Sequence, residues 1–338
     1  MSAASSDAAV SAPAAPLTMA KAINAALSDA MAEDDKVVVF GEDVGALGGV
    51  FRVTDGLTAK FGEERCFDTP LAEASIMGTA IGMAVYGFKP VVEMQFDAFA
   101  YPAFEQVFSH LAKMRNRTRG AVSVPVVVRI PYGGGIGGVE HHSDSSESYF
   151  AHTPGLHVVT PSTVEDAYSL LREAIDSPDP VIFFEPKRLY WGKANVALPV
   201  HTGRIGTAAV RRQGTHATLV CYGQTVPVCM AAAERAAQEG IELEVLDLRS
   251  LVPLDDAAIE RSVGRTGRAI VVHESVGFGG FGAELAARIA ERCFYQLEAP
   301  VTRVAGLDVP FPPPKYEHWY LPDADRVLDA VDRAMSAG

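Results

Sequence analysis

Basic charge is scarce in this 338-residue chain: 29 lysines and arginines face 42 aspartates and glutamates, a net charge of −13. Acids and bases are interleaved, so neither nucleic acid nor an anionic membrane would meet the basic face it needs. Cysteine is sparse too. Cys66, Cys221, Cys229 and Cys293 form no C-x-x-C pair and no ligand-like spacing, which points to reduced thiols in a cytoplasmic protein. The longest uncharged apolar stretch, 74–88, falls short of the roughly 20 residues that span a bilayer. Residues 1–17 form an Ala/Ser/Pro tail without arginine or a long apolar run. The expectation there is disorder, not a secretory signal or a mitochondrial transit peptide.

What is present suits a two-domain globular protein, with 48% hydrophobic and 21% charged residues. Apolar, β-rich runs at 36–42, 90–96, 124–130, 156–161 and 180–186 alternate with helical patterns at 19–33, 73–87, 102–115 and 164–176. Thr18 and Thr163 stand where N-caps belong. Near-continuous apolar strands separated by helices predict mainly parallel sheets covered on both faces. The pattern breaks at WGKANVALPVHTGRIG and then resumes through VTRVAG at 301–306, which places domains at 18–200 and 207–338.

Residues 133–148, GGGIGGVEHHSDSSES, pose the central question. Gly133, Gly135 and Gly138 satisfy G-x-G-x-x-G after a strand, and Gly277, Gly279 and Gly282 do so again before a helix. The first lacks a following apolar helix. The second lacks a carboxylate at the expected distance, so a nicotinamide oxidoreductase using 277–282 is an alternative from another class. For that second turn, tight strand-to-helix packing is the simpler account. His141 and His142 are neighbours whose side chains would diverge in an extended segment, which disfavours a shared metal.

Glu73 is the only charged residue in LAEASIMGTAIGMAVYG, on a helix thinned by Gly78, Gly82 and Gly87. A first-turn acid gains from the helix dipole. So apolar a neighbourhood also predicts burial and a raised pKa, which makes Glu73 a functional candidate.

DTPLAE, VVEMQFDAFAYPAFEQ, HHSDSSESYFAHTPG, FFEPKRLY, LEVLDLRSLVPLD, RTGRAIVVHE, GFGAELAARIAE and LEAPVTRVAG occur in this order. With them the chain, from about residue 18 to its end, resembles the β subunit of thiamine diphosphate-dependent 2-oxo acid dehydrogenases. FFEPKRLY is more similar to the branched-chain (3-methyl-2-oxobutanoate) type, with the pyruvate type as the alternative. The resemblance implies a transketolase-like α/β fold of two domains and an α2β2 heterotetramer with a thiamine-binding α subunit. It implies that Glu73 bonds the aminopyrimidine, that Phe99 lies against that ring where many branched-chain enzymes have tyrosine, and that His142 is the active-site histidine. Glu42 matches a glutamate on the acidic connection between cofactor sites. A potassium ion on main-chain carbonyls near Val126, Ala174 and Asp179 occurs in some members. The family also passes its acyl group to lipoamide on an acyltransferase core, docked through the C-terminal domain. No G-D-G segment for the Mg2+ that bridges the diphosphate occurs here. That half of the site is expected from the α subunit.

Overall fold

A computed structural model describes residues 16–337. Its first sheet has seven strands: β2 (Val37–Gly41), β3 (Cys66–Asp68), β4 (Lys89–Glu93), β5 (Val127–Tyr132), β6 (His157–Val159), β7 (Val181–Pro186) and β12 (Ser250–Val252). They lie in the order β3-β2-β4-β5-β7-β6-β12. All their pairings are parallel except β12 with β6. The second sheet joins β9 (Ala209–Arg212), β10 (Ala217–Cys221), β11 (Leu243–Asp247), β13 (Ala269–Val276) and β14 (Thr302–Gly306). Its order is β14-β13-β10-β11-β9, with only β9 antiparallel. The fold is α/β with mainly parallel sheets. β12 crosses from the second half to the edge of the first sheet.

Period-two alternation explains the double burial. Val38, Phe40, Val92, Val128, Ile182 and Phe184 join one core, while Val37, Val39, Val91, Val127, Val181 and Phe183 join another on the opposite face. Helix Met19–Glu33 is capped by the Thr18 side chain and Val164–Asp176 by that of Thr163. Among the described residues, no helix is long and apolar enough to cross a membrane.

Three expectations change. Most of the proposed disordered tail, 1–15, lies outside the described residues, but Leu17 does not behave as tail. It pairs with Ala194 in the small sheet of β1 (Leu17–Thr18) and β8 (Lys193–Ala194), because it packs against the core beneath the first helix. The helix expected at 102–115 is instead a π-helix, Gln106–Leu111, followed by the short helix Met114–Arg117. Its wide turn is visible where Ala112 N donates to Val107 O at 3.0 Å. Gly155 packs on that segment so closely that a Cβ would stand 1.9 Å from Ala112 O. A last helix, Ala324–Ser336, was not expected at all; Asp323 caps it.

Buried polar contacts join the halves. Arg249 bonds Asp166 at 2.9 Å, Ser162 bonds Asp247 at 2.5 Å, and Tyr222 donates to Glu147 at 2.7 Å.

Candidate active site

Parallel strands place their carboxyl ends on one edge, where open α/β sheets bind ligands. Loops after β2, β3, β4, β5 and β7 carry the residues of interest to that edge.

The glycine loop leaves β5 with Gly133 at φ +81° and Gly135 at φ +84°, a region that side-chain-bearing residues rarely adopt. Gly133 N donates to Asp144 O at 2.7 Å and closes the loop. Its neighbours press against the second half. A Cβ on Gly133 would stand 1.7 Å from Gln224 Nε2, and one on Gly134 would stand 2.3 Å from the Phe311 ring. The loop amides are engaged as well. Gly134 N donates to Glu274 Oε1 at 2.5 Å, and Gly135 N and Gly137 N to Glu317 Oε2 at 3.3 and 3.4 Å. These glycines serve a tight turn and close docking, and their N–H groups are directed at carboxylates.

The segment with the histidines is a 3-10 turn, Glu140–His142, so the premise of an extended chain does not hold. The two rings lie 4.4 Å apart. Burial separates their roles instead: His141 is exposed, and His142 is half-buried. His142 meets Phe96 edge-on at 4.1 Å and Phe99 at 5.4 Å. Burial, then the charges of His141 and Lys187, hold its pKa below the ordinary range. Its Nδ1 is buried without a hydrogen-bond partner. Phe99, in the 3-10 helix Asp97–Ala100, is half-buried beside it.

Glu73 opens helix Glu73–Val85 and is half-buried, which corrects the expected burial. The apolar helix surface explains the difference. Val85 and Tyr86 are exposed, and a Cβ on Gly82 would meet no atom within 4 Å. The apolar neighbourhood is therefore open in the single chain. Glu42, just after β2, is buried. Desolvation, then the charges of Glu73 and Asp43, push its carboxyl up to about 7, and its Oε1 has no partner. Asp43 accepts from Gln95 Nε2 at 2.7 Å, tying this acidic corner to the segment carrying Phe96 and Phe99.

Val126 O accepts from Val181 N at 2.9 Å, while Ser177 donates to Ala174 O at 3.3 Å and Asp179 O at 3.0 Å. Each carbonyl oxygen keeps a second lone pair. The turn at 277–282 packs at its helix end, while Phe278 is exposed and a Cβ on Gly279 would meet no atom within 4 Å. A Cβ on Gly282 would stand 2.3 Å from His273 Nε2, and one on Gly280 would stand 2.2 Å from Val276 O. Burial holds His273 down at about 4.

Sequence reasoning passed over Asp97, Glu147 and Lys187, all buried near the histidine loop. Burial pushes Asp97 up to about 7 against the hydrogen bonds of Ser146 and the Lys187 charge, and burial likewise pushes Glu147 to about 7. The available signal was the lone charge Asp97 in MQFDAFAY and a lysine, Lys187, within FFEPKRLY.

Residues 15–192 match the transketolase pyrimidine-binding domain and residues 206–327 the transketolase C-terminal domain. A pyruvate dehydrogenase E1 component subunit beta from Leifsonia xyli is 57% identical, with 95% of each chain covered. A 3-methyl-2-oxobutanoate dehydrogenase subunit beta from Mycobacterium tuberculosis is 58% identical over 94% of this chain and 92% of its own. The 2-oxoisovalerate dehydrogenase subunit beta of Bacillus subtilis is 46% identical over 92% of this chain and 96% of its own. A solved split-gene transketolase, an inactive beta4 tetramer, has a TM-score of 0.78 at 23% identity, over 96% of this chain and 99% of that one. That likeness speaks for the fold. The chain belongs to the β subunits of the thiamine diphosphate-dependent 2-oxo acid dehydrogenases, built on the transketolase fold.

Proposed function

We propose that this chain is the β half of a decarboxylating E1 component acting on branched-chain 2-oxo acids. It would work with a thiamine-binding α subunit in an α2β2 heterotetramer. The single observation that carries the site reading is the convergence of His142 on Phe96 and Phe99 at the carboxyl edge of the first sheet. The facing acids Glu42 and Glu73 support it.

The residues fit the aminopyrimidine half of thiamine diphosphate. The buried Glu42 Oε1 and His142 Nδ1 are orphaned, and the half-buried Phe99 ring lies beside His142. They do not fit the diphosphate half. The sequence has no G-D-G segment for the metal that bridges the diphosphate, and on this reading Mg2+ is held by the α subunit. When bound, thiamine diphosphate supplies the carbon nucleophile and the electron sink for decarboxylation. Glu73 would hold a proton at the pyrimidine ring nitrogen, and Phe99 would fix the ring plane. His142, kept neutral by burial, would accept or return a proton near neutral pH. The acyl group would then leave to lipoamide on an acyltransferase core docked on the domain at 207–338. The carbonyls of Val126, Ala174 and Asp179 are compatible with potassium, which would brace the turn between β7 and its preceding helix. A cytoplasmic setting agrees with four free, buried cysteines.

The branched-chain assignment is supported by FFEPKRLY and by the relatives named for 3-methyl-2-oxobutanoate and 2-oxoisovalerate. A pyruvate-specific enzyme is the second reading, favoured by the relative named for pyruvate at 57% identity. Side-by-side assays of the assembled enzyme decide. Extra methyl groups in an apolar pocket contribute roughly 1–3 kcal/mol, so kcat/KM should favour 2-oxoisovalerate by about tenfold or more. A preference for pyruvate would move the protein to the second reading.

A further inference from the structure

Lys187 follows β7 and is 0% exposed. A buried ammonium is costly unless it is compensated. Its Nζ makes one hydrogen bond, at 3.4 Å to the Pro131 carbonyl. Burial pulls its pKa down to about 8, against the longer-range charges of Asp97, Glu274 and Asp144. The same Nζ stands 5.6 Å from the centroid of the Phe96 ring, on whose edge His142 packs.

Those acids are the groups that hold the histidine loop. Asp97 accepts from Ser146 N at 2.8 Å and from Ser146 Oγ. Glu274 Oε1 accepts from Gly134 N at 2.5 Å. Asp144 gives its main-chain carbonyl to Gly133 N at 2.7 Å, and its carboxylate accepts from the Tyr101 hydroxyl at 3.5 Å. Pro131 precedes the loop by two residues. One end of the loop is therefore fastened through Pro131 and Glu274, the other through Asp144 and Asp97. Lys187 Nζ bonds the Pro131 carbonyl directly and feels the charges of Asp97, Glu274 and Asp144 at longer range.

We propose that Lys187 is a positioning residue: its buried ammonium gathers the carboxylates that clasp both ends of the 133–146 loop, and so aims His142. The inference rests on the reading of His142 as part of the cofactor site. A lysine suits the place because three acids confined at low dielectric repel one another unless a cation lies among them. The same charge favours the neutral imidazole of His142, which faces Phe96, Phe99, His141 and Lys187.

Lys187→Met keeps an unbranched apolar side chain and removes the charge, whereas Lys187→Gln removes the charge and keeps a polar end. Amide hydrogen exchange and NMR titration of His142 are measured on the full chain, and turnover on the assembled enzyme. Lys187→Met should speed exchange at Gly134 and Ser146 at least about tenfold, the effect of losing one charge-assisted hydrogen bond. It should also move the His142 titration upward and lower kcat. Unchanged exchange at both amides, or an unmoved titration, overturns the clasp while leaving His142 in the site. Loosened amides and a shifted imidazole with full turnover would instead overturn the role of His142, and with it the positioning role. Should Lys187→Met fail to fold, Lys187→Gln decides the matter: exchange at Gly134 and Ser146 must rise, and unchanged rates overturn the proposal.

Discussion

The ring of His142 lies edge-on to the ring of Phe96, with centroids 4.1 Å apart and planes at 74°. An aromatic edge contact of this kind restricts the orientation of the imidazole. The exposed His141 has only tilted ring contacts, with His142 at 4.4 Å and Phe99 at 6.0 Å.

From this follows an asymmetry between neighbours. His142→Ala in the assembled enzyme should lower turnover by about 10²–10⁴-fold, the range of general acid–base assistance. Thiamine diphosphate affinity should stay near wild type, and His141→Ala should do little. Paired kinetics on both variants, after size-exclusion chromatography confirms assembly, checks this. Equal losses, or a larger loss at His141, would assign the role to the other imidazole.

Glu73→Gln should keep the fold and remove most activity. Glutamine is nearly isosteric but cannot exchange a proton with the pyrimidine nitrogen. Losing a charge-assisted hydrogen bond of about 1.5–3 kcal/mol predicts a loss of roughly 10–150-fold. The readout is the exchange rate of the thiazolium proton in the assembled enzyme. A wild-type rate would reduce Glu73 to an acid at a helix start.

Arg129 connects three strands from inside the sheet. It bonds Glu93 at 2.6 Å and Glu185 at 2.6 and 3.0 Å, and Tyr190 donates to the same Glu185 at 2.5 Å. Arg129→Met leaves both carboxylates buried and unpaired, at a cost of about 3–5 kcal/mol. Replacing all three charges together, as Arg129→Met, Glu93→Gln and Glu185→Gln, should restore much of that loss. Urea unfolding of the two variants measures the difference.

Glu42 sets a pH dependence of stability. Its folded pKa of about 7 lies above the ordinary 4.5, so the folded chain holds a proton that the unfolded chain releases. This contribution is complete below about pH 4.5 and is lost as pH rises through 7. Glu42→Gln should therefore melt like wild type near pH 4 and gain about 5 °C at pH 8, a scale set by the usual relation between pKa shift, stability and Tm. An equal Tm difference at both pH values would show that Glu42 ionises normally in the fold.

Local patterns carried most of the architecture and little of the site's geometry. The helix at 19–33 and the one at 164–176 were readable because Thr18 and Thr163 cap them and their apolar faces repeat. The last helix carries the same kind of signal, with Val327, Ala330, Val331 and Ala334 buried at helical spacing behind the Asp323 cap. Other features had no local trace. Gly134 meets Glu274 across 140 residues of chain, and β12 leaves its own half to pair with β6. For Glu73, burial depends on what covers the helix, which the apolar pattern alone does not state.

Calorimetric titration of thiamine diphosphate with Mg2+ tests the central claim most directly, first on the purified chain and then with a matching α subunit added. The account predicts no tight binding by the chain alone, because on this reading Glu42, Glu73, Phe99 and His142 would supply only the aminopyrimidine half of a site. Micromolar binding and decarboxylation should appear together on assembly. Micromolar binding by the single chain would contradict a divided site.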